Sequence, residues 1–148
     1  MTVHGKVHPF VLLVDDDTHS ARLLTRMLLA HGSPAVERID GAEPALAHLR
    51  DLLPRSAANL PGLLIVDLKA TSTATRDFVA AVRKLKSVHA LSIAAMAPSL
   101  ERAVRETLLD AGADAVFERH AEIGAYRSEV ASIVSFWVRN QRLEAVGT

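Results

Sequence analysis

Four aspartates are the residues of this chain whose type and spacing favour chemistry. Asp15, Asp16 and Asp17 stand together after one short apolar run, and Asp67 ends a second run. Two carboxylates about 4 Å apart repel by up to roughly 4 kcal/mol at an effective dielectric near 20, so such a cluster either raises a pKa or holds a divalent cation. Oxygen ligands without a nearby His or Cys favour Mg²⁺ or Mn²⁺ over Zn²⁺. The alternative interpretation, an aspartate that caps a helix, is favoured only for Asp17.

The apolar runs before these aspartates indicate buried strands. Residues 10–14 and 63–66 form runs that are too short for helices and do not alternate, which is typical of strands buried on both faces. Weaker patterns predict three more strands, at 35–39, 91–96 and 114–118.

Apolar residues at helical spacing follow each predicted strand. The predicted helices are marked by Ala21, Leu24, Met27 and Leu28, by the segment 42–53, by Phe78, Val82 and Leu85, by Leu100, Val104 and Leu108, and by Ile123, Tyr126, Val130, Ile133, Val134 and Trp137.

Five strand–helix units predict an α/β fold, a doubly wound five-stranded parallel sheet with helices on both faces. The active crevice of such a sheet lies at the carboxyl ends of its strands, near the point where the strand order reverses. Because the first and third strands are commonly neighbours there, we expect Asp15, Asp16 and Asp67 to converge.

Length and composition bound the class of protein. The 148 residues suit one domain, which we expect to span 1–148 with its core at about 9–138. The 17 Lys and Arg balance 17 Asp and Glu, which argues against a nucleic-acid partner because phosphate contacts need a basic excess. The absence of Cys excludes thiolate zinc sites, disulfides and cysteine nucleophiles, and fits a reducing compartment. No apolar run approaches the ~20 residues that span a membrane, so we expect a cytoplasmic protein without a membrane partner.

Three motifs carry a resemblance to a known family: residues 11–17, residues 63–67, and Ala111 to Ala113 before the fifth strand. In the order and spacing of these motifs, the chain resembles the receiver domains of bacterial two-component response regulators, over about residues 9–138. The resemblance implies the flavodoxin-like fold of chemotaxis-type receivers and a part in a phosphorelay. It implies a signalling module that is not an enzyme, and we expect no output domain because few residues follow Trp137.

The resemblance also implies a role for each site residue. Asp67 accepts a phosphoryl group from the phosphohistidine of a histidine kinase or phosphotransfer protein. Mg²⁺ is held by Asp16 directly, by Asp15 through water, by Asp67, and by the backbone carbonyl of Lys69. An aspartate attacks phosphorus only if its charge and that of the phosphoryl oxygens are neutralised, which a metal between Asp16 and Asp67 would achieve.

The sequence departs from the family's pattern at two functional positions. Ala97 stands where a switch Ser or Thr ends the fourth strand, and Arg119 stands where a Lys ends the fifth. A hydroxyl bonded to a charged phosphoryl group is worth about 1.5–3 kcal/mol, so its loss at Ala97 would weaken the conformational bias about 10- to 100-fold. Arg119 keeps the positive charge but carries a bulkier, less mobile fork than a Lys. Further departures are Ala70, Thr71, Thr75, Val116 and His120.

Two hypotheses about function follow. The first is a stand-alone atypical receiver that is phosphorylated on Asp67 and acts through protein–protein interaction. The second is a phosphorylation-independent pseudo-receiver that serves as an interaction module. Two other classes fit less well. An Asp-nucleophile phosphatase matches Asp15 and Asp17 but meets His19 where Thr or Val is expected, and a flavodoxin-like cofactor site would place an anion beside three carboxylates.

The predicted last helix is the candidate partner surface. Phe136 and Trp137 resemble the Phe-Trp ending of phytochrome-associated response regulators, as does the longer loop at 54–61. Because those regulators are often dimeric, the resemblance implies a homodimer through this helix. The alternative is that Trp137 packs on its own core.

Overall fold

Strands and helices alternate along the described part of the chain. The computed structural model describes residues 9–54, 60–85 and 91–147, with side chains up to residue 141. The strands are β1 (Phe10–Asp15), β2 (Ala35–Ile39), β3 (Leu63–Asp67), β4 (Ile93–Ala97) and β5 (Ala115–Glu118). The helices are α1 (Thr18–Ala30), α2 (Ala42–Leu52), α3 (Ala74–Arg83), α4 (Arg102–Ala111) and α5 (Ile123–Gly147). The predicted loop at 54–61 lies largely outside the described residues.

The five strands join one parallel sheet in the order β2-β1-β3-β4-β5. The chain runs from β1 outward to β2 and then returns to β3 on the other side of β1, so the strand order reverses between β1 and β3. The predicted doubly wound α/β fold is confirmed. β1 and β3 pair in a register that sets Asp15 opposite Asp67. The reversal thus brings both aspartates to the edge where the crevice of such a sheet opens.

Each face of the sheet carries an apolar core. One core contains Leu12 and Leu64 and packs against α2, α3 and α4. The other contains Leu13 and Ile65 and packs against α1 and α5. Because the central strands are covered on both faces, their sequences are continuous apolar runs rather than alternating ones.

Helix α4 begins later than its apolar spacing predicts. The spacing includes Leu100, whereas the helix begins at Arg102 and Leu100 is 38% exposed. Glu101 has an extended backbone, with φ −54° and ψ 143°, so the chain becomes helical only after it. Val104 and Leu108 pack on the sheet as predicted. The prediction for Leu100 is wrong, because an apolar residue of the preceding loop happens to match the helical period.

Helix α5 carries the two aromatic residues predicted to meet a partner. The ring of Phe136 packs edge-on against Phe117, with centroids 6.0 Å apart and an interplanar angle of 67°. Trp137 packs on the core shared with α1, and its indole leaves no room for a Cβ at Gly62. Both aromatic side chains are therefore partly buried on the protein's own core. None of the helices in the described residues has the length and apolarity needed to cross a membrane.

Candidate functional site

The carboxyl ends of β1 and β3 form an acidic pocket around two buried carboxylates. Asp15 and Asp67 are both 0% exposed. Their strands pair in register at this point, so the backbone sets the two residues side by side. Carboxylates that are withdrawn from water need positive charge or hydrogen bonds to compensate. The expected convergence of these two residues is present, and their partners decide what the pocket can do.

Lys69 supplies a compensating charge through its side chain. Its Nζ lies 2.9 Å from Asp15 Oδ1 and 3.2 Å from Asp67 Oδ1, and it donates to the backbone carbonyl of Asp67 at 2.9 Å. The ammonium thus lies between the two buried carboxylates, in the region predicted for a metal. The family resemblance gives Lys69 only a backbone role. Its closeness to Asp67 along the chain was the only signal for the side-chain contact.

Asp67 has two further side-chain partners. Arg119 Nε lies 2.9 Å from Asp67 Oδ1, and Ser20 Oγ donates to Asp67 Oδ2 at 3.2 Å. The backbone N–H of Arg119 donates to the carbonyl of Ala97 at 2.8 Å, which holds the ends of β4 and β5 together. Sequence reasoning missed Ser20, because only the folded chain brings the first turn of α1 over the end of β3.

Asp16 and Asp17 hold backbone groups around the pocket. Asp16 accepts the N–H of Lys69 on both carboxylate oxygens, at 3.0 and 3.1 Å, and the N–H of Ala70 at 2.9 Å. These bonds tie the loop after β1 to the loop after β3. Asp17 accepts the N–H of Ser20 at 3.1 Å and is the N-cap of α1, which confirms the capping interpretation for this residue.

Burial raises the pKa of Asp67. Desolvation is the largest cause; the charges of Lys69 and Arg119 oppose it, and the charge of Asp15 adds to it. The exposed Asp17 behaves in the opposite way, because a backbone N–H donated from the first turn of α1 lowers the pKa of its carboxyl. The two carboxyl groups thus differ: burial makes Asp67 costly to ionise, whereas the hydrogen bond stabilises the ionised form of Asp17.

The position of Ala97 lies inside this arrangement. Ala97 ends β4 and is 1% exposed, and its methyl group has nothing to donate to a phosphoryl group. The hydroxyl that contacts Asp67 comes instead from Ser20 on α1. The β4 end of the pocket therefore has no hydroxyl at this position.

The oxygen donors of the pocket fit a hard divalent cation in type. Asp15 Oδ2 is buried and, among the described residues, has no hydrogen-bond partner, so one carboxylate oxygen remains available. Asp16 and Asp67 bring further oxygens to the same edge, which is the donor set that Mg²⁺ and Mn²⁺ prefer. Within the described ranges, however, no three acidic or histidine side chains are grouped so that they could hold a metal. The Lys69 ammonium lies among the donors, so a cation would have to replace it.

Comparison with known proteins finds chains of similar fold among solved structures. No protein-family model and no curated protein matches the chain. Among solved structures, the phosphorylated cyanobacterial phytochrome response regulator RcpA is 20% identical, with a TM-score of 0.72 over 88% of this chain and 94% of that one. The Mn²⁺-bound response regulator Rcp1 is 17% identical, with a TM-score of 0.71 over 87% and 94%. The receiver domain of the sensor histidine kinase PA1611 from Pseudomonas aeruginosa, with magnesium in its active-site cleft, is 18% identical, with a TM-score of 0.66 over 88% and 98%.

The chain therefore has the fold of response regulator receiver domains. The resemblance drawn from three short motifs is confirmed at the level of the fold, and phytochrome response regulators are among the similar structures, as predicted.

Proposed function

We propose that this chain is an atypical receiver of two-component signalling that is phosphorylated on Asp67. The main supporting observation is the pair of wholly buried carboxylates, Asp15 and Asp67, at the strand-order reversal of a receiver-type sheet. Buried like charges cost free energy that a purely structural residue would avoid, and such groups cluster at functional sites. The phosphoryl donor is a histidine kinase or phosphotransfer protein in the cytoplasm. The chain acts through protein–protein interaction rather than as an enzyme.

The proposed transfer is a displacement at phosphorus. A carboxylate oxygen of Asp67 forms an O–P bond while the N–P bond of the donor's phosphohistidine breaks, and the imidazole nitrogen leaves with the bonding electron pair. The transition state spreads charge over the phosphoryl oxygens, so cations nearby stabilise it. Lys69 and Arg119 lie 3.2 and 2.9 Å from Asp67 Oδ1, and the guanidinium fork suits phosphoryl oxygens.

Mg²⁺ belongs to this proposal through the residues that would hold it. They are Asp15, Asp16 and Asp67, with the backbone carbonyl of Lys69 as a fourth donor. A bound divalent cation would act there as a Lewis acid that neutralises phosphoryl oxygens. Because the Lys69 ammonium contacts Asp15 Oδ1 at 2.9 Å, this side chain must first leave that oxygen. Cation binding and release of the Lys69 side chain are therefore coupled.

NMR spectroscopy with beryllofluoride and Mg²⁺, which mimic a bound phosphoryl group, tests the proposal. We expect the amide resonances of Asp16 and Leu68 to shift in the wild-type chain and to stay in place in Asp67→Asn. The matched control is Asp77→Asn, which changes an exposed aspartate of α3 and should respond like the wild type. Absence of any shift in the folded wild-type chain at saturating reagent would contradict phosphorylation on Asp67.

The second candidate function is a pseudo-receiver that keeps the fold and acts as an interaction module without phosphorylation. The observation that favours it is the Lys69 ammonium between the two carboxylates, which together with Arg119 already balances the charge of Asp15 and Asp67 without a metal. In that case the pocket is a permanent ion-pair cluster. The same titration separates the two candidates, because a pseudo-receiver stays folded and gives no response at the pocket.

The homodimer predicted through the C-terminal helix is also part of the proposal. Phe136 and Trp137 are partly buried on their own core, so a dimer would use their remaining exposed edges together with other residues of α5. Light scattering with and without beryllofluoride tests it. A monomeric mass under both conditions would contradict the dimer and leave phosphorylation on Asp67 unaffected.

A further inference from the structure

A cavity of about 680 Å³ lies beside the acidic pocket. It is lined by the loop after β3, the end of β4 and helix α4, and Arg119 lines both the cavity and the pocket. Cavities that hold small organic ligands commonly measure about 300–1,000 Å³, so this one has room for such a ligand. Ala97 of β4 and Ala103 of α4 line it with small side chains.

The lining combines an apolar floor with a polar rim. Leu68, Ala97 and Leu108 line the floor and are 5%, 1% and 6% exposed. Thr71 and Ser72 carry their hydroxyls on the exposed rim. An apolar body would gain free energy by leaving water for this floor, while a polar group would remain at the rim.

The charged residues that line the cavity are all positive. Lys69, Arg76 and Arg119 are among them, and the described lining contains no Asp or Glu. Arg119 contacts Asp67 through Nε alone, at 2.9 Å, and within the described part of the chain neither of its Nη atoms has a hydrogen-bond partner. A guanidinium with free Nη donors matches the two oxygens of a carboxylate. The cavity therefore offers an anion site next to an apolar surface.

We propose that this cavity binds a small organic acid, with its carboxylate on Arg119 and its apolar body on Leu68, Ala97 and Leu108. A carboxylate suits the site better than a phosphate, because a single negative charge repels the neighbouring Asp67 less than the roughly −1.5 to −2 charge of a phosphate group. Binding needs no phosphoryl group on Asp67, so the inference does not depend on phosphorylation, although the cavity and the acidic pocket share Arg119.

NMR titration with 1-naphthoate tests the site, and 1-naphthamide, which has the same shape without the charge, is the matched probe. We expect naphthoate to shift the amide resonances of Ala70, Thr71 and Ala97. We also expect it to bind at least about tenfold more tightly than the amide, because a hydrogen bond between charged groups contributes enough free energy to raise the affinity by that factor or more. Equal affinity of the two probes would overturn the proposal. So would the absence of shifts at these residues with millimolar naphthoate.

Variants separate the carboxylate site from the apolar floor. Arg119→Gln should still bind naphthamide and should lose the preference for naphthoate. Ala103→Phe, at an exposed position of α4, should fill the cavity and weaken both probes at least about tenfold. Ala30→Phe, at the exposed end of α1 and outside the cavity lining, should leave both affinities unchanged.

A preference for naphthoate that survives Arg119→Gln would overturn the assignment of the carboxylate site. Full affinity in a folded Ala103→Phe chain would overturn the cavity as the binding place. If Ala103→Phe does not fold, the comparison of the two probes in the wild-type chain and in Arg119→Gln decides alone.

Discussion

At the scale of single residues, the centre of the site is one ammonium shared by two wholly buried carboxylates. Asp67 also has Arg119 and Ser20 as partners, whereas Asp15 Oδ1 has only the Lys69 ammonium and the N–H of Asp17 within the described residues. Removing one member of a buried ion pair costs about 3–5 kcal/mol, because the other charge is left unpaired. Lys69 therefore matters most for the ionised form of Asp15.

We predict that Lys69→Met lowers the free energy of unfolding by about 3 kcal/mol in EDTA, since Asp15 loses its counter-charge. Mg²⁺ should recover more stability in this variant than it adds to the wild-type chain, because no ammonium competes for the carboxylate oxygens. Urea unfolding with and without Mg²⁺ measures both effects. Lys84→Met, at an exposed position, is the control and should behave like the wild type. Equal stabilisation of Lys69→Met and wild type by Mg²⁺ would show that ammonium and metal do not compete.

The sequence predicted the aspartates of the site and did not predict their partners. Asp15 and Asp67 could be predicted because strand register alone sets them side by side. The contacts of Lys69 and Ser20 depend on a side-chain rotamer and on the position of α1 over the sheet, which local sequence does not encode. The cavity at Ala97 likewise depends on how α4 packs, so no motif signals it.

At the scale of elements, α1 begins at a capped turn directly beside the site. Asp17 accepts the N–H of Ser20, and an N-cap carboxylate stabilises the helix start that carries the Ser20 hydroxyl to Asp67. The cap therefore positions a polar contact of the pocket as well as a helix.

We predict that Asp17→Ala lowers the melting temperature at neutral pH because the cap is lost. The pKa of Asp17 is lowered from its usual 3.8, so the ionised cap contributes stability above pH 3.8, and this contribution is lost as the pH falls through the lower value of the folded state. The difference between Asp17→Ala and wild type should therefore shrink in acid. Asp17→Asn, which caps without ionising, should not show this acid-dependent change. A difference that stays constant down to the most acidic pH at which the chain is folded would contradict the role of the carboxylate.

A second element-scale link joins α3 to the loop before β5. Arg83 donates to the carbonyls of Gly112 at 2.7 Å and Leu91 at 3.0 Å, and to the carboxylate of Asp114 at 2.8 Å. Gly112 ends α4 with a φ of 123°, a conformation that favours glycine, and its surroundings leave no room for a Cβ beside Arg83. The arginine thus links the ends of α3 and α4 to the segments that lead into β4 and β5.

We predict that Arg83→Ala lowers the free energy of unfolding by about 1.5–3 kcal/mol, because hydrogen bonds from a charged donor are lost together. Lys84→Ala, an exposed neighbour on the same turn, should change it by less than about 0.5 kcal/mol. Urea unfolding of the two variants measures the contrast. Equal effects would mean that Arg83 contributes no more than a surface residue.

Element positions could be predicted where an apolar run is bounded by a charge and less well where it is not. β1 and β3 end at aspartates and were predicted within a residue, whereas β4 covers Ile93–Ala97 instead of 91–96. Leu100 was placed in α4 because a loop residue matched the helical period. Period alone does not separate a buried helix face from an apolar entry loop.

At the scale of the whole molecule, the balanced net charge conceals a local concentration of charged side chains at the pocket. The chain carries 17 basic and 17 acidic residues, yet two carboxylates are buried together, and they are paired with Lys69 of the loop after β3 and with Arg119, which follows β5. A phosphoryl group on Asp67 would add charge beside the end of β4, where Ala97 and residues of α4 line the same cavity. Because Ala97 offers no hydroxyl, we expect the response to stay close to the pocket.

We predict that Ala97→Ser extends the response to beryllofluoride and Mg²⁺ from the pocket to α4 and β5, because a hydroxyl bonded to a charged group is worth about 1.5–3 kcal/mol. NMR chemical-shift mapping measures the extent. Ala30→Ser, at the exposed end of α1, is the control and should keep the wild-type pattern. Identical maps for the two variants would contradict the assignment of Ala97 as the missing switch contact.

The most direct test of phosphorylation on Asp67 is intact-protein and peptide mass spectrometry after incubation with acetyl phosphate and Mg²⁺. The proposed function predicts one added phosphoryl group, on the peptide that contains Asp67, in the wild-type chain and in Asp77→Asn but not in Asp67→Asn. No added mass in a folded wild-type chain, or a phosphoryl group that remains in Asp67→Asn, would contradict it.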